Sequence, residues 1–450
     1  MSQPKSISFA QSLGAFASGA TNPREFLEKC IAEIDARESD VKAFVVKDLA
    51  SARKAADASS KRWHAGAPLS SIDGMPVGIK DIIETADMPT QMGSPLFEGH
   101  STGFDSASVH ALREAGAVII GKTVTTEFAA SHPGPTCNPH DLARTPGGSS
   151  SGSAAGVACG MFSGALGTQV VGSIVRPSSY CGVYGFKPSL GGINRGGSHD
   201  FMSQSCQGVL AASLEDAWQM AIEIVMRTGG DPGHPGLIGP PVIPDSIRPA
   251  ALAYLETPGW EKASKGAREL MQTSIERLRQ AGVKIVTRKE SAALNTLENA
   301  LNDCLATTRA VNAWESRWPI NTLADRDASK LSASMIERLH EAEAMSVEDY
   351  RRHLHKRHEI RQAYAALASE VAGCITLSAP DVATLGLSST GDPIYAVHGS
   401  LLGVPAINLP LGTVSGLPLG IQTLGFLGMD AELFPISGAI VDLIGKIKIP

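Results

Sequence analysis

The sequence predicts an α/β fold in which helices cover a largely buried sheet. Short apolar segments of strand length alternate with amphipathic segments along the 450 residues, as expected for strands separated by helices. Hydrophobic residues make up 43% of the chain and charged residues 19%, a balance that supports a large buried core. A Gly/Ser-rich block at 147–189 keeps apolar residues between its polar positions, which indicates a packed loop, helix and loop rather than a flexible linker.

The elements of the first half follow from the spacing of apolar residues and from turn signals. Helix is predicted from about Pro23 to Trp63, because apolar residues recur at helical spacing and the second half of this stretch is rich in alanine and lysine. Pro76 to Ile83 is predicted as a strand ending in a loop, which places Lys80 near the carboxyl end of the strand. The other expected elements are a helix at 106–115, a strand at 117–121, a loop at 132–146, a Pro/Gly-rich connector at 229–249, a strand at 250–255, a helix at 263–281 and a strand at 283–287.

The second half of the chain is predicted to leave the sheet and return to it. Residues 291 to about 372 are charged and helical, without a strand pattern, and are interpreted as a helical excursion that caps the site. The segments CITLSAP, GVPAINLP and LPLGIQTLG then supply further strands. Since these would complete the sheet begun near the N-terminus, we predict a single domain over residues 1–450.

Composition excludes several classes of partner. The net charge of −6 gives no general attraction for nucleic acid or for an anionic membrane surface. The seven cysteines are scattered and form no CxxC pair, as in reduced cytosolic proteins. No signal peptide and no run of 18 apolar residues is found. We therefore expect a soluble cytoplasmic protein.

The hydroxyls of the Gly/Ser-rich block indicate nucleophilic catalysis. Small residues let backbone N–H groups approach a reacting carbonyl, and a serine held among them is placed to attack it. No histidine lies between Gly147 and Ser189, so a base has to come from elsewhere. Lys80 in VGIKDII is the best candidate, because a lysine at the end of an apolar run is partly buried, and burial lowers its pKa toward neutrality.

With these residues, the chain resembles the amidase signature family of enzymes, which carry a Ser-Ser-Lys triad in such a block. The matching motifs cover most of the chain: GMPVGIKD, AGAVIIGKTVTTEFA, the central block, FKPS, GVPAINLPLG and GLPLGIQ. The resemblance implies a mixed central sheet covered by helices on both faces. It also implies that Ser173 is the nucleophile, that Ser149, on a cis peptide bond, bridges to it, and that Lys80 is the base.

By the same resemblance the reaction is hydrolysis of an amide C–N bond through a serine acyl-enzyme, which requires no metal or organic cofactor. Backbone N–H groups of the nucleophile loop are expected to form the oxyanion hole. The residues of that loop are Val170, Val171, Gly172 and Ser173. We also expect a homodimer.

The nucleophile loop departs from the commonest family pattern. Where many members read TDxGGSIR, this chain reads TQVVGSIVRP, so Gln169 replaces an acidic residue and the basic residue appears one place later, as Arg176. This version resembles the branch that contains malonamidase, in which the arginine binds a substrate carboxylate. Arg176 and Gln169 are therefore predicted to contact a small carboxylate-bearing amide such as malonamate. A structural ion pair of Arg176 is the equal alternative, and Val171, where the family usually has glycine, narrows the pocket.

Other functions stay open at this point. Ser150 sits in a GxSxG match typical of α/β-hydrolases, although the polar segment before it argues against the strand that this motif needs. The chain also suits an amidase for aryl or aliphatic amides or hydrazides, a glutamine-hydrolysing subunit of an amidotransferase complex, or a binding protein that kept the fold. A catalytic Cys181 lacks an evident base. An SxxK match at Ser51 and a metal site at 353–358 are less favoured than exposed helix faces.

Overall fold

The computed structural model describes residues 3–130 and 132–450; the first two residues of the predicted 1–450 domain and residue 131 lie outside the described part. Twelve strands in the described residues form one sheet. They are β1 Phe44–Lys47, β2 Pro76–Lys80, β3 Val118–Thr123, β4 Gly164–Gln169, β5 Tyr184–Lys187, β6 Cys206–Ala211, β7 Ala251–Tyr254, β8 Lys284–Val286, β9 Cys374–Leu377, β10 Ala406–Val414, β11 Leu417–Leu424 and β12 Ile447–Ile449.

The helices in the described residues comprise two that precede the first strand and others that lie between successive strands. They are α1 Leu13–Ala17, α2 Pro23–Val41, α3 Leu49–His64, α4 Ala107–Glu114, α5 Ser151–Ala158, α6 Val175–Cys181, α7 Leu214–Thr228, α8 Gly259–Lys262, α9 Lys265–Gln280, α10 Ala292–Ala300, α11 Cys304–Asp327, α12 Ala333–Glu343, α13 Val347–Ala365, α14 Val397–Leu402 and α15 Asp430–Ile444. Among the residues described, no helix combines the length and hydrophobicity needed to cross a bilayer.

The sheet is mixed, as predicted. Its strand order is β1-β3-β2-β4-β6-β5-β10-β11-β9-β7-β8, and β12 pairs with β10. Strand β2 runs parallel to both β3 and β4, whereas β10 runs antiparallel to both β5 and β11. The pairing of β10 with β5 therefore joins strands from the two halves of the chain in one sheet, and the α/β fold predicted from the sequence is confirmed.

Local sequence signals account for most helix boundaries. Helix α2 begins with proline at its first position, and Asn22 caps it by accepting a hydrogen bond from the backbone N–H of Glu25. Ser106 caps α4 in the same way. Ser346 and Asp349 form a reciprocal capping box at the start of α13.

The continuous helix predicted from Pro23 to Trp63 is wrong, because β1 interrupts it. Lys42 adopts a left-handed conformation with φ 56° and ends α2. Phe44 to Lys47 then pairs with β3 at the edge of the sheet. This pairing partner lies some distance along the chain, so the periodicity of the segment itself did not disclose the strand.

Helix α5 explains why the central block is rich in small residues. All eight of its residues are buried. A Cβ atom added at Gly152 would lie 2.1 Å from the backbone oxygen of Ala43, and one added at Gly156 would lie 2.2 Å from the ring of Phe162. Glycine is therefore required for the helix to pack directly against backbone and an aromatic ring.

No strand lies between β8 and β9 in the described residues; helices α10 to α13 fill this stretch. Helices α11 and α13 pack against each other and against α14. The helical excursion thereby packs against α14, and it supplies one wall of the cavity described below.

Candidate active site

Two parallel strands bring the proposed base to the central block. Strand β2 is buried along its whole length and ends at Lys80. Its neighbour β4 carries Thr168 and leads into the loop of Ser173. Because the carboxyl ends of adjacent parallel strands meet at one edge of the sheet, the end of β2 and the loop after β4 lie together.

Lys80 is fully buried and closely held by hydroxyl groups. Its Nζ lies 2.7 Å from Ser149 Oγ and 2.7 Å from Thr168 Oγ1. Burial lowers the pKa of Lys80 from 10.5 to about 7, while the carboxylate of Asp200 acts in the opposite direction. A substantial share of the lysine is therefore neutral near pH 7, which is the form able to accept a proton.

The two serines lie on adjoining loops. The peptide bond between Gly148 and Ser149 is cis, as the family resemblance implies. The N–H of Ser150 donates to the carbonyl oxygen of Ser173 at 3.3 Å, which ties the two loops together. Ser173 is 6% exposed and lines a cavity of about 550 Å³.

The loop before Ser173 offers free backbone donors. Among the described residues, the N–H groups of Val171, Gly172 and Ser173 have no hydrogen-bond acceptor. The carbonyl oxygens of Val170 and Val171 point elsewhere, accepting bonds from Gln204 Nε2 and Ser400 Oγ, each at 3.1 Å. The backbone of Val171 lies outside the left-handed region, so its branched side chain does not strain the turn. Donors without partners at a cavity wall suit stabilisation of an oxyanion.

Gln169 lies behind this loop rather than in the cavity. Its amide oxygen accepts the N–H groups of Ile174 and Val175 at 2.8 and 3.0 Å. Its amide nitrogen donates to Ala396 O and Ser400 Oγ. Both ends of the side chain are thus occupied within the protein, so Gln169 positions the turn of Ser173. The sequence prediction of a substrate contact by Gln169 finds no support in this geometry.

Arg176 lines the same cavity as Ser173 and is buried. Its Nη2 donates to Gly148 O at 2.8 Å and to Thr390 Oγ1 at 3.0 Å. No carboxylate of the described residues lies within 4.0 Å of its guanidinium nitrogens, so the ion-pair alternative is not what the structure contains. Its Nε is buried without an acceptor.

A comparison with models of protein families shows which family this chain belongs to. The family model described as Amidase matches residues 25–434, which is most of the chain. The chain belongs to the amidase signature family. Members of this family hydrolyse amides, so the chain is an amidohydrolase.

Relatives of known name and structure agree with this membership. One of the subunits of glutamyl-tRNA(Gln) amidotransferase from Anaeromyxobacter sp. (strain K) is 32% identical over 96% of this chain and 95% of that protein. A peptide amidase solved in complex with the competitive inhibitor chymostatin is 25% identical, with a TM-score of 0.80 and coverage of 97% of both chains. A chain from work on the origins of an s-triazine catabolic enzyme, 24% identical, shares the fold with a TM-score of 0.86 over 99% of this chain and all of that one.

The alternative catalytic centres of this amidase are not built for catalysis. Ser150 is fully buried, and its Oγ faces the backbone of Thr168 at 3.4 Å. Burial raises the pKa of the Cys181 thiol well above its usual value. Ser51 lies on an exposed face of α3.

The histidines at 353–358 of the amidase do not converge on one point. They lie on α13, where His355 Nε2 is 3.4 Å from Glu359 and His358 faces Gln362. Both pairs lie at i,i+4 along the exposed surface of the helix. This placement agrees with the prediction, from the sequence, of an exposed helix face rather than a metal site.

Four residues near the site were not found from the sequence. Thr168 contacts Lys80, and Asp200 acts on its charge. Asn312 and Arg338, both in the helical excursion, line the cavity. Only Thr168 had a usable signal, its position at the end of the strand that enters the nucleophile loop. The excursion residues are remote along the chain, and their charged helices resemble any solvated helix.

Proposed function

We propose that this amidase hydrolyses a small, carboxylate-bearing amide, such as malonamate, through an acyl-enzyme on Ser173. The observation that carries the proposal is the buried guanidinium of Arg176 on the wall of the cavity that also holds Ser173. A buried charge is normally paired, since leaving it unpaired costs free energy. A substrate carboxylate is the partner that the described residues do not supply.

The chemistry begins with proton transfer along Ser173, Ser149 and Lys80. Ser173 Oγ attacks the amide carbon as its proton passes to Ser149, whose own proton passes to neutral Lys80 across the 2.7 Å contact. The C–N bond then breaks, and the leaving amine or ammonia takes a proton returned along the same path. Water attacks the acyl ester, again with proton transfer to the lysine, and releases the acid and free Ser173.

The loop of Val170 to Ser173 stabilises the negative oxygen of each tetrahedral intermediate. The N–H groups without acceptors at Val171, Gly172 and Ser173 support this assignment. Loss of one such donor typically costs about 10² to 10³ in rate. The position of the loop therefore matters as much as the identity of the base.

We assign specificity both to Arg176 and to the cavity wall that the helical excursion supplies. Asn312 is 2% exposed, and neither its amide oxygen nor its amide nitrogen has a partner in the described residues. Arg338 lies beside it, with Nη2 3.4 Å from Asn312 O. A donor, an acceptor and a second cation thus face the cavity from the helical excursion. These groups suit a short polar amide better than an aliphatic chain.

The test is ammonia release from a panel of amides. The panel pairs malonamate with an uncharged amide of similar size and adds glutamine, an aryl amide and a hydrazide. Ser173→Ala should lose activity on every substrate. Arg176→Gln should lose about 10- to 100-fold in kcat/KM on the carboxylated amide alone, the equivalent of one charge-assisted hydrogen-bonded contact.

The matched control is Arg309→Gln, which removes the same charge from an exposed position that lines the same cavity. It should change kcat/KM much less. Equal loss on charged and uncharged amides in Arg176→Gln would contradict the substrate class, because it would assign Arg176 to holding Gly148 O in place. Full activity in Ser173→Ala would contradict the nucleophile.

The second candidate function is glutamine hydrolysis within an amidotransferase complex. It is favoured by the 30–32% identity, over 93–96% of this chain, with proteins named as subunits of glutamyl-tRNA(Gln) amidotransferase. Glutamine as the best substrate, together with copurifying subunits, would establish it in place of the first. The cytoplasmic location and the homodimer stay predictions, and analytical ultracentrifugation of the purified chain tests the second of them.

A further inference from the structure

A second cluster of chemically active side chains lies away from the cavity of Ser173. It consists of Glu84, His100 and His199, and one oxygen and two imidazole nitrogens from these residues all lie within 4.8 Å of one another. Glu84 Oε1 is 2.6 Å from His199 Nε2 and 3.8 Å from His100 Nε2. The other carboxylate oxygen accepts a hydrogen bond from Thr102 at 2.9 Å.

The carboxylate of this cluster is unusual in its surroundings. The side chain of Glu84 is 2% exposed, yet within the described ranges no lysine or arginine nitrogen lies within 4.0 Å of it. Buried carboxylates are normally paired with a cation or bind a metal ion, because an isolated buried charge is costly. The two imidazoles are the ion-binding groups that the fold places next to it.

Backbone hydrogen bonds hold the three residues around one turn. The N–H of His199 donates to Ile82 O at 2.9 Å, and the N–H of Glu84 donates to Gly197 O at 3.0 Å. The carbonyl oxygen of His100 accepts from Thr90 N–H at 2.8 Å. The three side chains are therefore brought together by the backbone of three separate segments, and not by their own attraction alone.

We propose that Glu84, His100 and His199 form a zinc-binding site, with one carboxylate oxygen and two imidazole nitrogens as protein ligands. Zinc takes histidine nitrogen and carboxylate oxygen at about 2.0 to 2.2 Å in tetrahedral sites, which spaces the ligand atoms roughly 3.3 Å apart. The two Nε2 to Oε1 distances, 2.6 and 3.8 Å, lie on either side of this spacing. Thr102 Oγ1, held on the second carboxylate oxygen, orients the ligand.

The exposure of the two histidine side chains also suits a zinc site. The side chains of His100 and His199 are 37% and 34% exposed, so an ion reaches them from solvent and the rings adjust by small rotations. Solvent supplies the fourth ligand. A bound ion would join the turn after β2 to the loops of His100 and His199, and it would thereby stabilise the segment that follows Lys80 in the chain.

The test uses the whole chain described above, stripped of metal with a chelator and then titrated with zinc in a calorimeter. Wild type should bind one equivalent, and its Tm should rise as zinc saturates the site. His100→Asn and His199→Asn, both at partly exposed positions that tolerate substitution, should each weaken this equivalent by more than about 100-fold, since even residues behind the ligands cost 10- to 100-fold. Circular dichroism verifies that the variants are folded.

The matched control is His110→Asn. Its Nε2 lies 3.4 Å from Glu114 on an exposed helix, so it forms a His–Glu pair without a third ligand. The control should keep the zinc equivalent and the rise in Tm. Absence of a stoichiometric equivalent in wild type, or its unchanged retention in both His100→Asn and His199→Asn, would overturn the proposal. Loss of the equivalent in His110→Asn would assign it to the helix surface and would overturn the proposal as well.

Discussion

The pH dependence of kcat/KM is the most direct consequence of the burial of Lys80. In the proposed mechanism only neutral Lys80 accepts a proton, so the rate follows the neutral fraction. Burial brings the pKa of this lysine from 10.5 to about 7. The neutral fraction then rises from about 10% at pH 6 to about 90% at pH 8, and kcat/KM should rise about tenfold before it levels off. An ordinary lysine would give a rise of about 100-fold over the same interval, continuing toward pH 10.

The assay is steady-state ammonia release from the best amide of the panel, between about pH 5.5 and about pH 9. Circular dichroism at each pH excludes unfolding as the cause of a change in rate. Asp200→Asn adds a signed test, because the Asp200 carboxylate raises the pKa of Lys80 and its removal should move the midpoint to lower pH. A profile with no midpoint between pH 6 and pH 8, or a midpoint that moves to higher pH in Asp200→Asn, would refute the reasoning.

Substitutions at three further positions test the parts around the nucleophile. Lys80→Met should abolish activity. In urea unfolding the wild type should gain stability relative to this variant by up to about 1.4 kcal/mol per pH unit between pH 7 and about pH 10.5, and it should lose this gain as pH falls toward 7. The sign follows from the lowered pKa of the folded lysine, because in this interval the unfolded state binds a proton that the folded state does not, and raising the pH removes that advantage of the unfolded state. Gln169→Leu leaves the buried N–H groups of Ile174 and Val175 without an acceptor, so it should lower the free energy of unfolding by about 2 to 4 kcal/mol. Gln169→Glu keeps an acceptor oxygen and should lose less stability. Gly172→Ala places a Cβ atom 2.7 Å from Ala396 Cβ and should lower kcat at least about tenfold through displacement of the turn; unchanged kinetics would contradict the packing.

Motifs with a local physical basis were recoverable from the sequence. The apolar run before Lys80 predicted its position at the end of a buried strand, and the small residues of α5 predicted a packed block. The helix predicted from Pro23 begins where Asn22 caps α2, and the helix predicted at 106–115 begins where Ser106 caps α4. Each of these signals is encoded in residues close to one another in the chain, because caps, strand periodicity and close packing are set by near neighbours.

Contacts between remote segments were not recoverable in this way. Strand β1 escaped detection because its partner is β3, and Gln169 was assigned to substrate because its true partners, at Ile174 and Ala396, depend on how the loop folds back. Asn312 gave no signal in a charged helix. In each case the free energy that decides the role comes from a pairing across the fold.

The sequence by itself determined the family, the α/β class and the three residues proposed to carry the reaction, since these reside in ordered local motifs. Tertiary structure alone decided the environment of those residues. Lys80 acquires a pKa of about 7 only because the surrounding elements exclude water from it, and Arg176 is left without a carboxylate only because of how the neighbouring loops pack. Desolvation and unmet charge are properties of the assembled interior, and no stretch of chain holds them on its own.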